Sequence, residues 1–250
     1  MRRNRKLVLA TLLACFIWVS GTLAGCAFFK SNRPETARQL AVEGVKCFHD
    51  DDYADALKTF TTLKERYPYS RYAVLAELKV ADAHFCMEQY PEAIASYDDF
   101  ARMHPKNQVV PYVLYQIGEC HYRQLLSVDR DQTETRQAIL AFERFLKAYP
   151  RSTYTTKARR KIQACRERLA EHELYVGRFY FKSKYYRAAL ARFESALTDY
   201  RDALTADKER EVKQMILSCR EKISENGSAE EEHKRMIIMP EEPIFGTVGP

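Results

Sequence analysis

Four sets of residues in this chain have the types that do chemistry, and their spacing decides what each set can perform. Cys26 ends an apolar leader, where a thiol is open to covalent modification. Cys120-His121 and the pair His84 and Cys86 offer metal-ligand types, yet neither has the doubled spacing of a zinc site. Asp50-Asp51-Asp52 offers carboxylates, but a calcium loop needs further spaced oxygen ligands and a glycine turn, so the triplet reads as capping and turn chemistry. Walker loop, dinucleotide glycine fingerprint, nucleophile elbow and HExxH are all missing from the sequence. No catalytic residue, metal or cofactor is expected, and an enzyme reading would need a site assembled only in three dimensions.

The leader explains Cys26. Arg2, Arg3, Arg5 and Lys6 precede an apolar run from Leu7 to Val19, which is short for a membrane span and fits a secretory signal over residues 1–25. Leu23-Ala24-Gly25-Cys26 resembles a bacterial lipobox. That resemblance implies cleavage before Cys26 and lipidation of Cys26 by covalent diacylglycerol and an N-acyl chain, enough acyl chains for stable anchoring. Ala27, rather than the aspartate associated with inner-membrane retention, points to the periplasmic face of the outer membrane, with residues 26–34 as a lipidated tether. Losing residues 1–25 removes four positive charges and no negative ones, leaving 36 basic against 34 acidic residues. A nearly neutral mature chain without a basic nucleic-acid motif argues against nucleic acid as a partner.

The elements that position everything else are repeats. Ala56/Phe60, Ala93/Tyr97, Ala138/Phe142 and Ala189/Phe193 each place a small residue and an aromatic four apart on one helix face. Upstream of them stand Gly44, Ala81, Gly118 and Gly177, at spacings of 12, 12, 20 and 12 residues, so the third unit carries an insertion. Pro68, Pro105 and Pro150 follow three of the alanines by twelve residues, and Arg201 takes that place in the fourth. The spacing resembles the tetratricopeptide pattern, with Cys47, His84, His121 and Tyr180 in its tyrosine slot, where the histidines read as core side chains. The predicted fold is all-α: tetratricopeptide-like helix-turn-helix repeats stacked in a superhelical solenoid of about five repeats. N-terminal repeats are expected over 35–126 and C-terminal ones over 127–224, with an inserted loop at 127–134 before a helix opening at Arg136. Further helices are expected near 154–169 and 204–224, the last being half of a fifth unit or a cap. The composition of 225–250 predicts a disordered tail whose apolar patch runs from Met236 to Met239. Cys47, Cys86, Cys120, Cys165 and Cys219 all fall in helical patterns. Buried free thiols are favoured for them, with one disulfide between neighbouring helices left open.

A stack of helix pairs offers a concave surface to extended peptides or partner helices. Counting from the small residues, Phe48, Leu78, Phe85, Tyr112, Tyr115 and Tyr122 are predicted to line it, beside the polar Lys79, Gln116 and Glu119. Burial of several of these rings between repeats satisfies the same count.

Three local stretches carry a family resemblance: ERYPYSRY at 65–72, VDR at 128–130 ahead of Ala141-Phe142, and YPRSTYTTKARRKIQACRERLAEHELYVGRFY at 149–180. With the lipobox and the order of elements, the chain from Cys26 to about residue 222 resembles the BamD family, lipoproteins of the outer-membrane β-barrel assembly machinery. Where the family closes the inserted loop with Arg-Asp-Pro, this chain has Thr133-Glu134-Thr135. The resemblance implies a scaffold whose N-terminal repeats receive unfolded barrel precursors. It implies a C-terminal half that binds the POTRA domain of a BamA-like barrel subunit alongside accessory lipoproteins. By the same resemblance Arg192 faces that domain, its alternative being a solvated helix charge. Tyr67 and Tyr72 either shape the substrate end or pack the first exit turn. The competing binding reading is another tetratricopeptide-repeat envelope lipoprotein, engaging cell-wall or division proteins.

Overall fold

The structure, a computed structural model, describes residues 35–225. The signal at 1–25, lipidation at Cys26, the tether at 26–34 and the tail from 226 onward lie outside the described residues. Among the described residues nine α-helices follow in order: α1 Ala37–His49, α2 Tyr53–Arg66, α3 Ala73–Cys86, α4 Tyr90–Met103, α5 Val110–Arg123, α6 Thr133–Ala148, α7 Thr155–Lys182, α8 Tyr186–Asp199 and α9 Ala206–Glu225. Each packs on the next in sequence, so the described chain is four antiparallel pairs closed by α9, half a unit short of five.

The small-residue reading of the seams holds. A Cβ placed on Gly44, Gly118 or Gly177 would meet the ring of Phe60, Phe142 or Phe193 at 2.8, 2.5 and 2.7 Å, against an ordinary contact of about 3.5–4.0 Å. In the second unit Ala81, Ala93 and Tyr97 are all fully buried. A small residue, glycine in three pairs and alanine in the second, therefore lets each pair close onto its ring, and three apolar clusters form: one of the first unit with Ala76 and Val80 of α3, a larger one from the second unit to the first half of α7, and one at the C-terminal end.

Two turn types join the helices. Within units 1, 2 and 4 the first helix ends in a left-handed residue, Asp51, Glu88 or Lys184, at φ 61°, 60° and 64°. The next residue's N–H reaches back to a carbonyl in the last turn (Asp52 to Cys47, Gln89 to His84, Tyr185 to Tyr180), each at 2.9 Å. This is the Schellman closure made without glycine. Asp52 then caps α2 by accepting from the Asp55 N–H at 3.3 Å, the capping role expected of the acidic triplet. Between units the helix stops two residues before Pro68, Pro105 or Pro150. Ser70, Asn107 and Ser152 then accept from the N–H two residues on, at 3.0, 3.1 and 3.3 Å, turning the chain into the next helix. Where the fourth copy lacks its proline, a 3-10 turn at Arg201–Ala203 does this.

The structure corrects the sequence in three places. The stretch 154–169 is not a separate helix; it forms one 28-residue helix with the first helix of the fourth unit. Its sequence has no proline and no glycine before Gly177, so nothing breaks it. Its first half, with Ala158 and Cys165, packs into the central cluster, and Leu174 packs into the C-terminal one. Second, α5 stops at Arg123, short of the boundary at 126 expected for the N-terminal repeats, and α6 opens at Thr133 rather than Arg136, where Asp131 accepts from the Thr133 N–H at 3.1 Å and from its hydroxyl at 3.0 Å. Third, Cys120, Cys165 and Cys219 are buried free thiols, but Cys47 is half-buried and Cys86 exposed. The filler role belongs to three of the five.

Candidate protein-binding surface

The rings predicted for the concave surface belong to a repeated device. Phe48 meets Tyr53, Phe85 meets Tyr90 and Phe181 meets Tyr186 edge-on, at 5.2, 5.8 and 5.4 Å between centroids. Each pair straddles the left-handed turn and ties the end of one helix to the start of the next. The insertion separates these positions in the third unit, and there Lys161 from α7 covers Tyr122 at 3.6 Å. Lys79 stands over Phe48 in the same way, at 4.3 Å. Phe48, Phe85, Tyr122 and Leu78 are half-buried, leaving ring edges and part of an aliphatic side chain at the surface.

Tyr115 is not at the surface. It is 8% exposed, stacks on Tyr154 at 4.9 Å and contacts Phe142 and Phe145, so it is a core residue joining the third unit to α7. Its hydroxyl donates to Glu119 at 3.2 Å, and burial with that carboxylate pushes its pKa up to about 12. Tyr112 is half-buried and its hydroxyl is engaged. Tyr67 closes the chain entry, donating to the Glu35 carbonyl at 2.6 Å. Tyr72 packs on the first cluster, with the Arg71 guanidinium donating to its hydroxyl at 2.6 Å.

The polar neighbours expected to meet a peptide backbone are also spent inside the protein. Asp82, 5% exposed, accepts on one oxygen from the Tyr97 and Tyr112 hydroxyls at 2.8 and 2.9 Å, and on the other from Lys79 at 2.8 Å. Burial, reinforced by Asp82, pushes both phenols far above their ordinary range and keeps them neutral donors. Gln116, nearly buried, donates to Tyr112 at 3.2 Å. Glu119 accepts from Arg123 and Lys161 at 3.2 Å each. Among the described residues no buried side-chain nitrogen or oxygen lacks a partner.

Arg192 is half-buried and bound within the chain: its guanidinium donates at 3.3 Å to Glu173, a carboxylate on α7 that is 7% exposed. With its side chain 38% exposed, Arg192 remains in contact with solvent while it serves a buried acid. Cys120 and His121 do not converge as ligands. Burial with neighbouring Glu119 pushes the Cys120 thiol up to about 12, while His121 hydrogen-bonds Glu134 at 2.7 Å and is half-buried rather than core. His84 is likewise half-buried and bonded to Gln89 at 2.8 Å. The inserted loop is docked. Gln132, 1% exposed, donates to the carbonyls of Ser127 and Arg130 at 2.9 Å each, and His172 of α7 donates to the Val128 carbonyl at 2.6 Å.

The family described as YfiO, outer membrane lipoprotein, matches residues 34–234. The chain belongs to the YfiO family. "Outer membrane protein assembly factor BamD" of Caulobacter vibrioides is 30% identical over 187 residues, which are 72% of this chain and 61% of that relative. The protein of the same description in Rickettsia prowazekii is 29% identical over 194 residues, 77% of each chain. Among solved structures, a thermophilic TPR protein of Thermus thermophilus aligns at a TM-score of 0.38 and 18% identity, over 74% of this chain and 98% of its own.

In this YfiO-family chain the sequence reading passed over Asp82, Glu173 and the turn tyrosines Tyr53, Tyr90 and Tyr186. The tyrosines had a signal, an aromatic five residues upstream in each case: Phe48, Phe85 and Phe181. Asp82 and Glu173 had none, because an acid inside a helical pattern reads as solvated until its donors, up to thirty residues away, are placed beside it.

Proposed function

We propose that this protein is a non-enzymatic scaffold of the outer-membrane β-barrel assembly machinery, anchored through acyl chains on Cys26 and facing the periplasm. It binds unfolded barrel precursors with its N-terminal units and a POTRA-bearing barrel subunit with its C-terminal units. The observation that carries this reading is the family match across residues 34–234, which spans every repeat unit. The surface chemistry supports it: Val42, Val45 and Leu75 are exposed on the first helices of units 1 and 2, which also carry the half-buried rings of Phe48 and Phe85. Apolar side chains in that setting suit the alternating apolar residues of an unfolded strand. Tyr112 and Tyr115 contribute through the frame, and Phe48, Phe85 and Tyr122 through their open edges.

The test is recovery of an affinity-tagged chain from detergent-solubilised membranes. Co-recovery of a POTRA-bearing barrel subunit is expected, and its reproducible absence would overturn the reading.

A further inference from the structure

Charge is segregated between the two edges of the stack. The exit turns that follow units 1 to 3, residues 66–72, 102–109 and 147–160, hold nine Lys or Arg and no Asp or Glu. The opposite turns of the same units, residues 49–55, 87–92 and 127–134, hold nine Asp or Glu and a single Arg. Units 1 to 3 therefore carry opposite charge at the two ends of their helices. On the basic edge Arg66, Lys106, Lys147, Arg151, Lys157 and Arg159 are exposed and have no ion-pair partner among the described residues. The pattern reverses after α7, where 182–187 is basic and 199–207 carries three aspartates.

The basic edge is also where the chain enters. The Tyr67 hydroxyl holds the Glu35 carbonyl at 2.6 Å, fixing the start of the described residues against the first exit turn. Cys26 lies nine residues earlier, a reach of at most about 30 Å. The same edge exposes Tyr69 fully and Met103 by half, an amphipathic ring and a soft apolar side chain of the kind that settle at a headgroup boundary. Between the second and third exits lies an open hollow of ≈ 580 Å³, floored by Val110, Leu114 and Ala148 and rimmed by Arg102, Arg144 and Asp98, its two arginines already paired with Asp99 and Asp98.

We propose that the basic edge of units 1 to 3 seats on an anionic lipid bilayer, holding the helices upright with the acidic edge turned away. Unpaired cations near an anionic leaflet add binding that weakens with salt. The acyl anchor proposed at Cys26 would keep the chain near the bilayer, and the basic turns at 66–72, 102–109 and 147–160 set which edge faces it.

The test uses the full chain expressed with its leader and purified from membranes, with one indole introduced at either edge, by Tyr69→Trp or Glu92→Trp, and Trp18→Phe added so that any chain keeping its leader contributes no second indole. Each is reconstituted with brominated phosphatidylethanolamine and phosphatidylglycerol, or with brominated phosphatidylcholine. In the anionic vesicles the indole at 69 is expected to be quenched at least about threefold more than that at 92. The difference should vanish in phosphatidylcholine, in about 1 M salt, or on adding Arg151→Glu, Lys157→Glu and Arg159→Glu. Equal quenching at the two positions overturns the seating, as does indifference to lipid charge. Binding of soluble polyglutamate at the edge without lipid-dependent quenching overturns it in favour of an acidic protein partner. Mass spectrometry of the same preparation reads the anchor separately. Selective quenching with an unmodified Cys26 defeats only the anchor, and equal quenching with an acylated Cys26 defeats only the seating.

Discussion

Replacing Gly118 with alanine isolates the close approach on which the stack depends. The new Cβ would lie 2.5 Å from two carbons of the Phe142 ring, so the ring has to retreat by about 1 Å to regain ordinary contact. It has nowhere to go: Phe142 is fully buried and Tyr115 lies 5.6 Å from it, centroid to centroid. Overpacking of this kind costs about 1–3 kcal/mol. Alanine returns about 1 kcal/mol of helix propensity. The net loss is about 1 kcal/mol, with an upper value near 2, which for a domain of this size lowers Tm by about 2–8 °C. Phe142→Leu removes the obstructing ring edge, so in that background Gly118→Ala should stabilise, giving a coupling energy of about 1–3 kcal/mol in a double-mutant cycle. Calorimetry or circular dichroism on the four proteins measures it. A rise in Tm for Gly118→Ala alone, or the same cost in both backgrounds, would refute the reasoning.

Arg192→Glu sets a second carboxylate against buried Glu173 and should cost about 2 kcal/mol, discounted because Arg192 is itself partly exposed. The swap Arg192→Glu with Glu173→Arg should recover most of that stability, and if Arg192 also contacts the barrel subunit, pull-down stays weak in the swapped protein. Glu88→Gly relieves a left-handed residue at φ 60° and should raise stability by about 0.5–1 kcal/mol in thermal melts, offset in part by the entropy of glycine. Thiol labelling of the native protein should modify Cys86 first and reach Cys120, Cys165 and Cys219 only on unfolding. Burial raises the Cys120 thiol from 9.0 to about 12 in the folded state, so its contribution is intact below pH 9 and is lost as pH rises toward 12. Cys120→Val should flatten that part of the alkaline stability profile.

The repeat frame was legible because close packing leaves a short-range mark. Glycine must sit where Phe60, Phe142 and Phe193 press in, and the partner ring lies a fixed number of residues on. The proline exits were legible for the same reason, since Pro68, Pro105 and Pro150 end helices by local geometry. The turns inside each pair were not. Asp51, Glu88 and Lys184 adopt a conformation that usually selects glycine, and none of the three residue types advertises it. The continuous α7 was misread because a count of residues per unit cannot tell an added helix from added turns of an existing one. Tyr115 was misplaced for a related reason. Its neighbour Tyr154 comes from the extended part of α7, which no other unit has.

The buried acids explain why a stack held by apolar seams keeps one shape. Apolar contact is non-directional, so rings and glycines alone would let one pair rotate or slip against the next at little cost. From the second unit on, each first helix carries one buried carboxylate: Asp82 on α3, Glu119 on α5 and Glu173 on α7. Each takes a donor from a different helix: Tyr97 of α4 and Tyr112 of α5, Lys161 of α7, and Arg192 of α8. A shifted register would strand these charges away from water without their donors, a penalty of several kcal/mol per ion. Asp82 and Glu119 therefore fix the rotation of units 2, 3 and 4 on one another, and Glu173 fixes α8 against α7 inside the fourth unit. Asp82→Asn keeps the shape of the side chain but weakens two hydroxyl donors' hold on it, and should loosen the seam between units 2 and 3 selectively. Hydrogen exchange would show faster amides in α4 and α5 with those of α8 and α9 unchanged. A uniform change along the chain would mean that the acid contributes stability without setting the register.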